Sequence, residues 1–519
     1  MWPKAGPLRA ALLAAAVLAS PCLPDESPRP IDPERPVLDL PADGAIIPVL
    51  RRAQTGAGLL LPRQALPQTD RAAAGFLAAA LLTRADSAAL LFAWPGLRQE
   101  WLRWSDGPGG HSLYVSPALD LGWHGETLPD SDDAGRLVGL GGMLYGRVGP
   151  RLSFYSRGMA YTEFTDKAQF TQQFSPEQGE TYSVEKGVGD SLLKDRTYNR
   201  FECYVLAELP WGITLKAGRD RVHTGPGYFT SLMAARDTPP YWLAEARIDF
   251  APWLSVDDQL LRMTDTRHDI LKYANLHRFE MRPLRGLSLG FQDIVIYQDR
   301  DPDWRYALPL VPLTFTESDM GGPDNTGMGL DFMYAGLRNL SFWGELFIDD
   351  LMGPSSFYDD FWENRWAGLA GFQVTSPLPS VDADLVVEYG HVEPWTYNGR
   401  QAQTSFKHFN APSASRLGPD SRTFDAQLSY RPWRWLELKE RLDFTDKGQG
   451  RPGTLGTIHA DSLDGQTKEW LGGPVAERRV WAQEAGFLYR QWLSARVGWA
   501  MDFGDAESNQ VSVAARAAW

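Results

Sequence analysis

The sequence predicts an all-β fold with a small α part: an antiparallel β-barrel of about eighteen strands that spans a membrane, preceded by a helical subdomain. Apolar and polar residues alternate from about residue 112 onward, in runs of strand length. Short turns alternate with long polar connections, as in up-and-down barrels. The hydrophobic fraction of the 519 residues is 43%, which is low for a helical membrane protein but ordinary for an alternating barrel.

The first residues predict export from the cytoplasm. Lys4 and Arg9 accompany the apolar run AALLAAAVLAS, so residues 1–19 are predicted to be a signal peptide. Residues 20–38 contain the stretch DESPRPIDPERP and are predicted to be a Pro-rich linker. Cys22 leaves a lipoprotein anchor open, although a proline stands before it where a small residue is expected.

The helical subdomain is predicted over residues 39–110, on the periplasmic side. The stretch DRAAAGFLAAALLTRADSAALLFAW indicates two short helices, and Pro95 ends the helical pattern. Neither apolar run reaches the roughly 20 residues that are needed to cross a bilayer. A small helical unit packed on a larger body is therefore expected, and residues 111–519 are assigned to the barrel.

The strand predictions depend on a period of two residues. In FECYVLAEL, Phe201 and Cys203 share one strand face and Glu202 lies on the other. A soluble sandwich would alternate in the same way, so this pattern does not by itself indicate a membrane. Asp258 and Asp293 are out of phase with their neighbours, and bulges or displaced strand boundaries are expected there.

The connections favour a membrane barrel over a sandwich. Short turns such as GRVGPR, LPWGI and RPWRW are predicted to alternate strictly with longer polar connections. The longer connections are residues 165–197, 298–325, 395–420 and 447–477. Tight turns on the periplasmic side and long loops outside are typical of outer-membrane barrels, and an even number of strands returns both chain ends to the periplasm.

Tryptophans mark the ends of several predicted strands. Trp211, Trp253 and Trp433 lie in short turns, where a barrel places its inner aromatic girdle. Trp519 ends the chain after an alternating strand and resembles the terminal signal by which outer-membrane barrels are recognised for assembly.

Charges of both signs line the predicted lumen, for example Lys216 with Asp220 and Glu245 with Arg247. A diffusion porin could have such a lining, but a wide barrel also needs ion pairs to hold its wall, and pairing is the expected role of any one charge. The net charge of -14 argues against a nucleic-acid partner, because no basic stripe can displace counterions from phosphates.

A candidate binding site begins in the segment AGRDRVHTGPGYF, residues 217–229. Its Gly-Pro-Gly forces a sharp departure from the strand, and arginine forks beside aromatic faces suit sugar hydroxyls and sugar carboxylates. The alternative is a buried knot of ion pairs that anchors an outer loop. The candidate glycan-binding residues, with later loops included, are Arg219, Asp220, Arg221, His223, Tyr228, Asn325, Trp395 and Tyr397.

Five motifs follow one another in order between about residues 210 and 440: GRDRVHTGPG, GPDNTGMGLDFMY, WGELFIDDL, VEYGHVEPWTY and RLGPDSRTFDAQLSYRP. Together they resemble the Wzi-type capsule assembly family of outer-membrane proteins. IPVLRRAQTGAGLLLP, near the start, looks like the helical amino-terminal region of that family. The resemblance implies an eighteen-stranded barrel with a periplasmic-side helical bundle, acting as a lectin that helps anchor capsular polysaccharide. The chain has Thr224 where the family pattern has an aromatic residue before Gly-Pro-Gly.

We therefore expect a monomeric outer-membrane protein that binds capsular polysaccharide or exopolysaccharide and contacts membrane lipid and lipopolysaccharide. No nucleic acid, cofactor, metal or catalytic residue is expected. A sugar-selective or general porin is the alternative, because it shares the barrel. A hydrolase of lipid A or phospholipid is a third possibility. His391 and Glu393 lie close in sequence, but no nucleophile elbow or metal-type histidine pair accompanies the eight histidines, so no enzymatic activity is expected.

Overall fold

The structure is a computed structural model of the chain. It describes residues 102–518 with the exception of residues 108–109, 129–130, 166–180, 185–195, 236–237, 265–269, 310, 323, 352, 354–356, 358, 379–380, 410, 434, 490–492 and 506. The predicted signal peptide, the linker, most of the predicted helical subdomain and Trp519 lie outside the described residues. Leu102–Ser105, at the end of that predicted subdomain, form a strand.

The described residues form mainly β-strands. The first eleven are β1 (Leu102–Ser105), β2 (Ser112–Leu128), β3 (Ser131–Val148), β4 (Leu152–Thr165), β5 (Thr181–Val184), β6 (Arg196–Leu209), β7 (Ile213–Asp220), β8 (Tyr241–Ala251), β9 (Leu254–Met263), β10 (Lys272–Leu284) and β11 (Leu287–Gln298). The others are β12 (Asn325–Leu337), β13 (Leu340–Asp350), β14 (Arg365–Thr375), β15 (Ala383–Val392), β16 (Lys407–His408), β17 (Ala411–Pro412), β18 (Ser421–Trp433), β19 (Leu436–Gly448), β20 (Val475–Tyr489), β21 (Leu493–Asp502) and β22 (Ser508–Ala518).

Eighteen of the described strands close into an antiparallel ring. The main sheet has 20 strands, and β1 and β5 are outside the ring because they pair only with β2 and β6. The ring closes where β22 pairs with β2, from Ala118 opposite Ala518 to Thr127 opposite Asn509. Closure leaves no open strand edge in lipid. The predicted barrel and its strand number are confirmed.

Side chains alternate between the lumen and the outer face of the barrel. On β8, Tyr241, Leu243 and Glu245 are buried, whereas Trp242 and Ala244 are exposed. The outer face is apolar along most strands, because it contacts lipid, and the inner face carries the polar residues.

The connections at the two ends of the barrel differ in length, but the predicted strict alternation is wrong. β2 ends at Leu128 and β3 begins at Ser131, and β21 ends at Asp502 before β22 begins at Ser508, so these outer connections are short. An antiparallel pair needs only a tight turn. Long outer loops occur where the chain folds over or into the barrel.

The helical elements of the described residues lie in the outer loops or in turns. The two α-helices are α1 (Leu313–Asp319) and α2 (Asp461–Asp464). Within this part of the chain, no helix is long and apolar enough to cross a membrane. At the end of the barrel with the short turns, the side chains of Trp211, Trp253 and Trp433 are 87%, 53% and 56% exposed, in agreement with the predicted aromatic girdle.

Loop residues fill the outer half of the lumen beside strands β7 to β18. The apolar cluster there combines Leu232 and Met233 from one loop and Phe406 from another with Phe347 and Leu276 from the wall. The predicted pairing of lumen charges is confirmed: Lys216 Nζ lies 2.5 Å from Asp220 Oδ2, and other ion pairs join Arg278 to Asp331 and Arg431 to Asp384.

The out-of-phase positions Asp258 and Asp293 do not lie at bulges. The register of β9 with β10 and of β10 with β11 is continuous through both residues. The expectation of bulges or displaced boundaries is therefore wrong, and both side chains lie on the outward face of the wall.

Candidate functional site

The loop of residues 221–240 carries Gly-Pro-Gly and folds into the lumen. We call it the inner loop. Its backbone is held by Glu388, on the inward face of β15. Glu388 accepts hydrogen bonds from the backbone N–H groups of Tyr228 at 2.7 Å and of Phe229 and Thr230 at 3.1 Å. The indole of Trp343 donates a fourth, at 2.9 Å. One buried carboxylate thus holds three successive amides of the inner loop.

A second carboxylate, Glu345 on β13, holds the same loop. It accepts the backbone N–H groups of Gly227 at 2.6 Å and of Leu232 at 2.8 Å. Gly225 has φ 93°, and a Cβ there would lie 2.5 Å from an oxygen of Glu345. Glycine is needed at this position because both the backbone conformation and the close approach exclude a side chain.

The loop of residues 393–420, between β15 and β18, packs on the inner loop through Tyr397. The Tyr397 hydroxyl donates to the carbonyl of Leu232 at 2.9 Å, and the Tyr397 backbone N–H donates to Asp349 at 2.8 Å. The ring stacks on Phe347 with centroids 4.9 Å apart. Burial raises the pKa of Tyr397, so the hydroxyl remains a donor.

A third loop, residues 449–474, covers the second. The Trp395 backbone N–H donates to the carbonyl of Pro452 at 3.0 Å, and the Trp395 ring meets His459 edge-on at 5.0 Å. His459 also lies parallel to Trp362, with ring centroids 3.7 Å apart. At the outer mouth, the third loop therefore packs on the loop of residues 393–420, which packs on the inner loop.

His408 fixes the base of the second loop. Its Nδ1 accepts the backbone N–H of Thr264 at 2.9 Å, its Nε2 lies 3.3 Å from the carbonyl of Pro240, and its ring stacks on Tyr241. These partners favour the neutral tautomer protonated on Nε2. Burial lowers the pKa of His408 to about 3, so the ring stays neutral at neutral pH.

The candidate residues of β7 lie on opposite faces of the wall. Arg219 is on the outward face, where it opposes Trp242 and places its guanidinium 4.1 Å from the ring centroid of Phe201. Asp220 is paired with Lys216 on the inward face. Strand alternation separates these neighbours, so they do not share one binding surface.

Arg221 and His223 lie at the start of the inner loop. The guanidinium of Arg221 contacts Glu202 at 3.3 Å and the carbonyl of Thr238 at 3.1 Å, which holds the loop to the wall. His223 is half-buried. Arg221 thus anchors the loop to the wall, and the backbone amides held by Glu345 and Glu388 contribute more of the anchoring contacts. Glycan contact by Arg219, Asp220, Arg221 and His223 stays a prediction.

The remaining candidates are buried among the loops. Tyr228 is 9% exposed, Asn325 donates to the carbonyl of Thr404 at 3.0 Å, and Trp395 and Tyr397 are 2% and 1% exposed. Glycan contact by these residues stays a prediction. Their geometry differs from the expected open mouth, because their rings pack against other loops and leave little surface for a sugar.

The structure brings together a different polar cluster. Arg416, Arg441 and Arg478 converge on two inward carboxylates. Asp425 lies 2.6 Å from Arg416 and 2.8 Å from Arg441, and Asp443 lies 2.6 Å from Arg478 and 3.4 Å from Arg441. Three guanidinium groups face two carboxylates, and the Arg478 side chain is 52% exposed. We call these residues the arginine cluster.

A cavity of about 390 Å³ adjoins the arginine cluster at the outer end of β19 and β20. Arg416, Arg478 and Lys447 line it, together with the apolar side chains of Leu417 and Leu455. The guanidinium of Arg441 also lies 4.9 Å from the ring centroid of Phe229, at the edge of the inner loop. The cavity thus combines forked cationic donors with apolar walls.

Comparison with known families bears on this architecture. The family model of the capsule assembly protein Wzi matches residues 142–468, more than half of the chain. The chain belongs to the Wzi capsule assembly family. None of the curated proteins compared matches it.

One solved structure shares the fold of this Wzi-family chain, and others are more distantly similar to it. Wzi of Escherichia coli, an outer-membrane protein involved in group 1 capsule assembly and a carbohydrate-binding β-barrel, is 13% identical with a TM-score of 0.57, over 92% of this chain and 98% of that one. Pseudomonas aeruginosa OprD and OccK2 (OpdF) are 10% identical with TM-scores of 0.42 and 0.46, over 78% of this chain and 95% and 97% of theirs. This Wzi-family chain is an outer-membrane β-barrel.

Sequence reasoning did not single out Glu388 or the arginine cluster of this Wzi-family protein. Glu388 lies inside the motif VEYGHVEPWTY, at a position that alternation places on the inward face. A carboxylate on the lumen face predicts an ion pair with another wall residue, whereas Glu388 accepts hydrogen bonds from the backbone N–H groups of a loop. Arg416 comes from the loop of residues 393–420 and Arg478 from β20, and only the folded loop brings them together.

Proposed function

We propose that this protein binds exported polysaccharide at the outer mouth of the barrel and helps attach or assemble capsule at the cell surface, without transforming the polymer chemically. The observation that carries the proposal is the arginine cluster beside its cavity. Its accessible cation is Arg478, whose side chain is 52% exposed in a chain with a net charge of -14. Such a site selects negatively charged or hydroxyl-rich groups from the medium.

The chemistry of the arginine cluster suits a carboxylate-bearing or hydroxyl-rich sugar. Guanidinium forks donate two parallel hydrogen bonds to a carboxylate, and a ring such as Phe229 can contact the C–H face of a sugar. A single contact of this kind contributes about 1 kcal/mol, so retention of a polymer depends on many weak contacts along its length.

The loops in the lumen support binding over conduction. The inner loop and the loop of residues 393–420 are both tied to strands β13 and β15 of the wall, by Glu345, Glu388 and Asp349. A porin needs an open aqueous path, whereas a lectin needs a fixed surface. The porin alternative predicts substantial single-channel conductance in planar bilayers, and the binding role predicts little.

Arg478→Gln is the most direct test of the binding site. Arg478 is half-exposed, and its removal leaves Asp443 paired with Arg441. The matched control is Arg479→Gln, because Arg479 is the next residue of β20 and lies on the outward face, paired with Asp446. Loss of one such contact of about 1 kcal/mol should weaken binding of the purified protein to the cell's own polysaccharide about fivefold.

In cells, Arg478→Gln should raise the fraction of released polysaccharide at equal barrel abundance, while Arg479→Gln should behave as the parent does. Equal binding by all three proteins would contradict the site. Equal binding together with open-channel currents in the parent protein would instead support the porin.

A further inference from the structure

A charged row lies on the outward face of the barrel wall. On β10, Leu276 belongs to the lumen cluster and Arg278 pairs with inward Asp331. His277 stands between them and therefore points outward, because successive strand residues face opposite sides. A histidine on the lipid face of a barrel needs a local explanation.

The row continues on both neighbouring strands. Asp258 of β9 and Asp293 of β11 lie directly opposite His277 in the register, and a carboxylate oxygen of each is 3.4 Å from an imidazole nitrogen. The next positions along the same row are Ala246 and Met328. Charged groups thus interrupt an apolar row, and lipid would leave their polar atoms without partners.

Lipid does not reach this row, because an outer connection covers it. The described residues of 299–324, between β11 and β12, lie against the outside of the wall, and we call them the cover segment. The His277 ring donates to the carbonyl of Tyr306 at 2.9 Å, and the Leu313 backbone N–H donates to Asp293 at 2.7 Å. His277 is 0% exposed and Asp293 is 1% exposed.

Further contacts fix the cover segment in this place. Tyr306 and Leu313 form an apolar cluster with outward-facing Val295, separate from the cluster in the lumen. The Tyr306 hydroxyl donates to Asp324 at 2.6 Å, and Arg300 donates to the same carboxylate at 3.0 Å. The cover segment is therefore packed on the wall as a defined layer.

The cover segment carries exposed apolar side chains, with an exposed ion pair of Arg305 and Asp303 beside the first of them. Trp304, Leu308, Val311 and Phe315 are 73%, 51%, 44% and 68% exposed. These four side chains come from the 3₁₀ turn Trp304–Ala307, from the connection after it and from α1, and we call them the apolar stripe. Beside the segment, Leu330 of β12 belongs to the outward apolar face and is 51% exposed. Exposed apolar side chains therefore lie both on the cover segment and on the outward face of the wall.

We propose that the cover segment is seated in the outer leaflet of the membrane, with its apolar stripe against lipid acyl chains. Its inner side provides polar partners for the charged row, and its outer side restores the apolar surface that lipid requires. This outer connection is thus part of the membrane interface and not an aqueous loop. The inference concerns lipid and is independent of the proposed polysaccharide site.

Spin labels at single cysteines test this placement. In the full-length protein with Cys22→Ser and Cys203→Ser, Phe315→Cys is compared with Leu330→Cys on the lipid face and with Leu463→Cys in another outer loop. Leu463 is a matched control because it is apolar and 72% exposed. The proteins are reconstituted in phosphatidylcholine–phosphatidylglycerol vesicles, and label collisions with oxygen and with a nickel chelate are measured.

The label at position 315 should collide with oxygen as the label at 330 does. Its nickel accessibility should be about tenfold lower than at 463, because hydrocarbon excludes the chelate. Nickel accessibility equal to that at 463 would overturn the proposal. Low accessibility to both reagents would overturn it as well, since a second protein copy would then cover the stripe. Leu308→Cys repeats the measurement if Phe315→Cys lacks heat-modifiable folded barrel.

Discussion

The carboxylate of Glu388 accepts the backbone N–H of Tyr228 at 2.7 Å, although 160 residues separate the two in the chain. β15 carries the first residue, and the loop after β7 carries the second. The contact therefore crosses the lumen and ties the inner loop to a distant part of the wall. Glu388, a polar residue of the wall, thus fixes the backbone of the inner loop.

Replacing this carboxylate should release the inner loop. In Glu388→Gln, a single amide oxygen faces several N–H donors, and the new NH₂ group opposes them. We expect the free energy of local opening to fall by about 3 kcal/mol, so that the amides of Tyr228 and Thr230 exchange with solvent on the order of 100-fold faster. Hydrogen–deuterium exchange of the folded barrel measures this change.

Glu440→Gln is the matched control for that experiment. Glu440 lies on the outward face of β19 and accepts the Trp481 indole at 2.9 Å. The same substitution there should leave exchange of the inner loop unchanged. If the two variants exchange alike, Glu388 does not hold the loop.

The sequence predicted the barrel well because its periodicity is local. Alternation along each strand and Pro or Gly in each tight turn need only neighbouring residues, and they led to the right strand number. The position of Tyr397 was not predictable in this way, because its burial depends on Leu232 and Asp349 from other parts of the chain. Asp258 and Asp293 were recognised as out of phase, but a covering segment explains them and a bulge does not.

The two ends of the barrel should differ in their access to a membrane-impermeant maleimide. In a background with Cys22→Ser and Cys203→Ser, Leu463→Cys lies in an outer loop and Leu378→Cys lies in the short turn between β14 and β15. The native side chains are 72% and 59% exposed, so both positions should react in lysed cells. On intact cells only position 463 should be labelled. Labelling of position 378 alone would show that the barrel has the opposite orientation.

Acid should destabilise the packing of the loop of residues 393–420 at His408, where the ring contacts Thr264 and Pro240. The pKa of His408 is lowered by burial to about 3, whereas an unfolded histidine titrates near about 6.5. Between these values the folded state binds fewer protons than the unfolded state, so the stability falls as the pH falls, by at most about 1.4 kcal/mol per pH unit. The Phe409 amide donates to Thr264 at 2.7 Å. Hydrogen exchange of this Phe409 amide, corrected for the intrinsic rate, should quicken up to about tenfold for each unit by which the pH is lowered.

A substitution without a titratable ring provides the check on His408. In His408→Asn, the amide oxygen can accept the Thr264 N–H in place of Nδ1, and nothing at this position titrates above pH 3. The variant should be less stable at neutral pH, but its corrected exchange should not change between pH 6.5 and pH 4. An unaltered pH dependence would show that another group causes it.

The seam between the first and last ring strands should depend on Arg516. Its guanidinium donates to both oxygens of Asp120, at 2.6 and 2.7 Å, across the junction of β22 with β2, and Tyr161 donates to the same carboxylate at 2.9 Å. Arg516→Met leaves Asp120 without its bidentate partner, and because the Arg516 side chain is 42% exposed the cost is about 1.5 kcal/mol. We expect the temperature at which the barrel loses its heat-modifiable form to fall.

Arg496→Met is the control, because Arg496 on neighbouring β21 is half-exposed and lies 4.0 Å from Glu484. Adding Asp120→Asn to Arg516→Met should recover part of the loss, since the unpaired charge is removed. Equal unfolding temperatures in the two arginine variants would show that backbone pairing alone holds the seam.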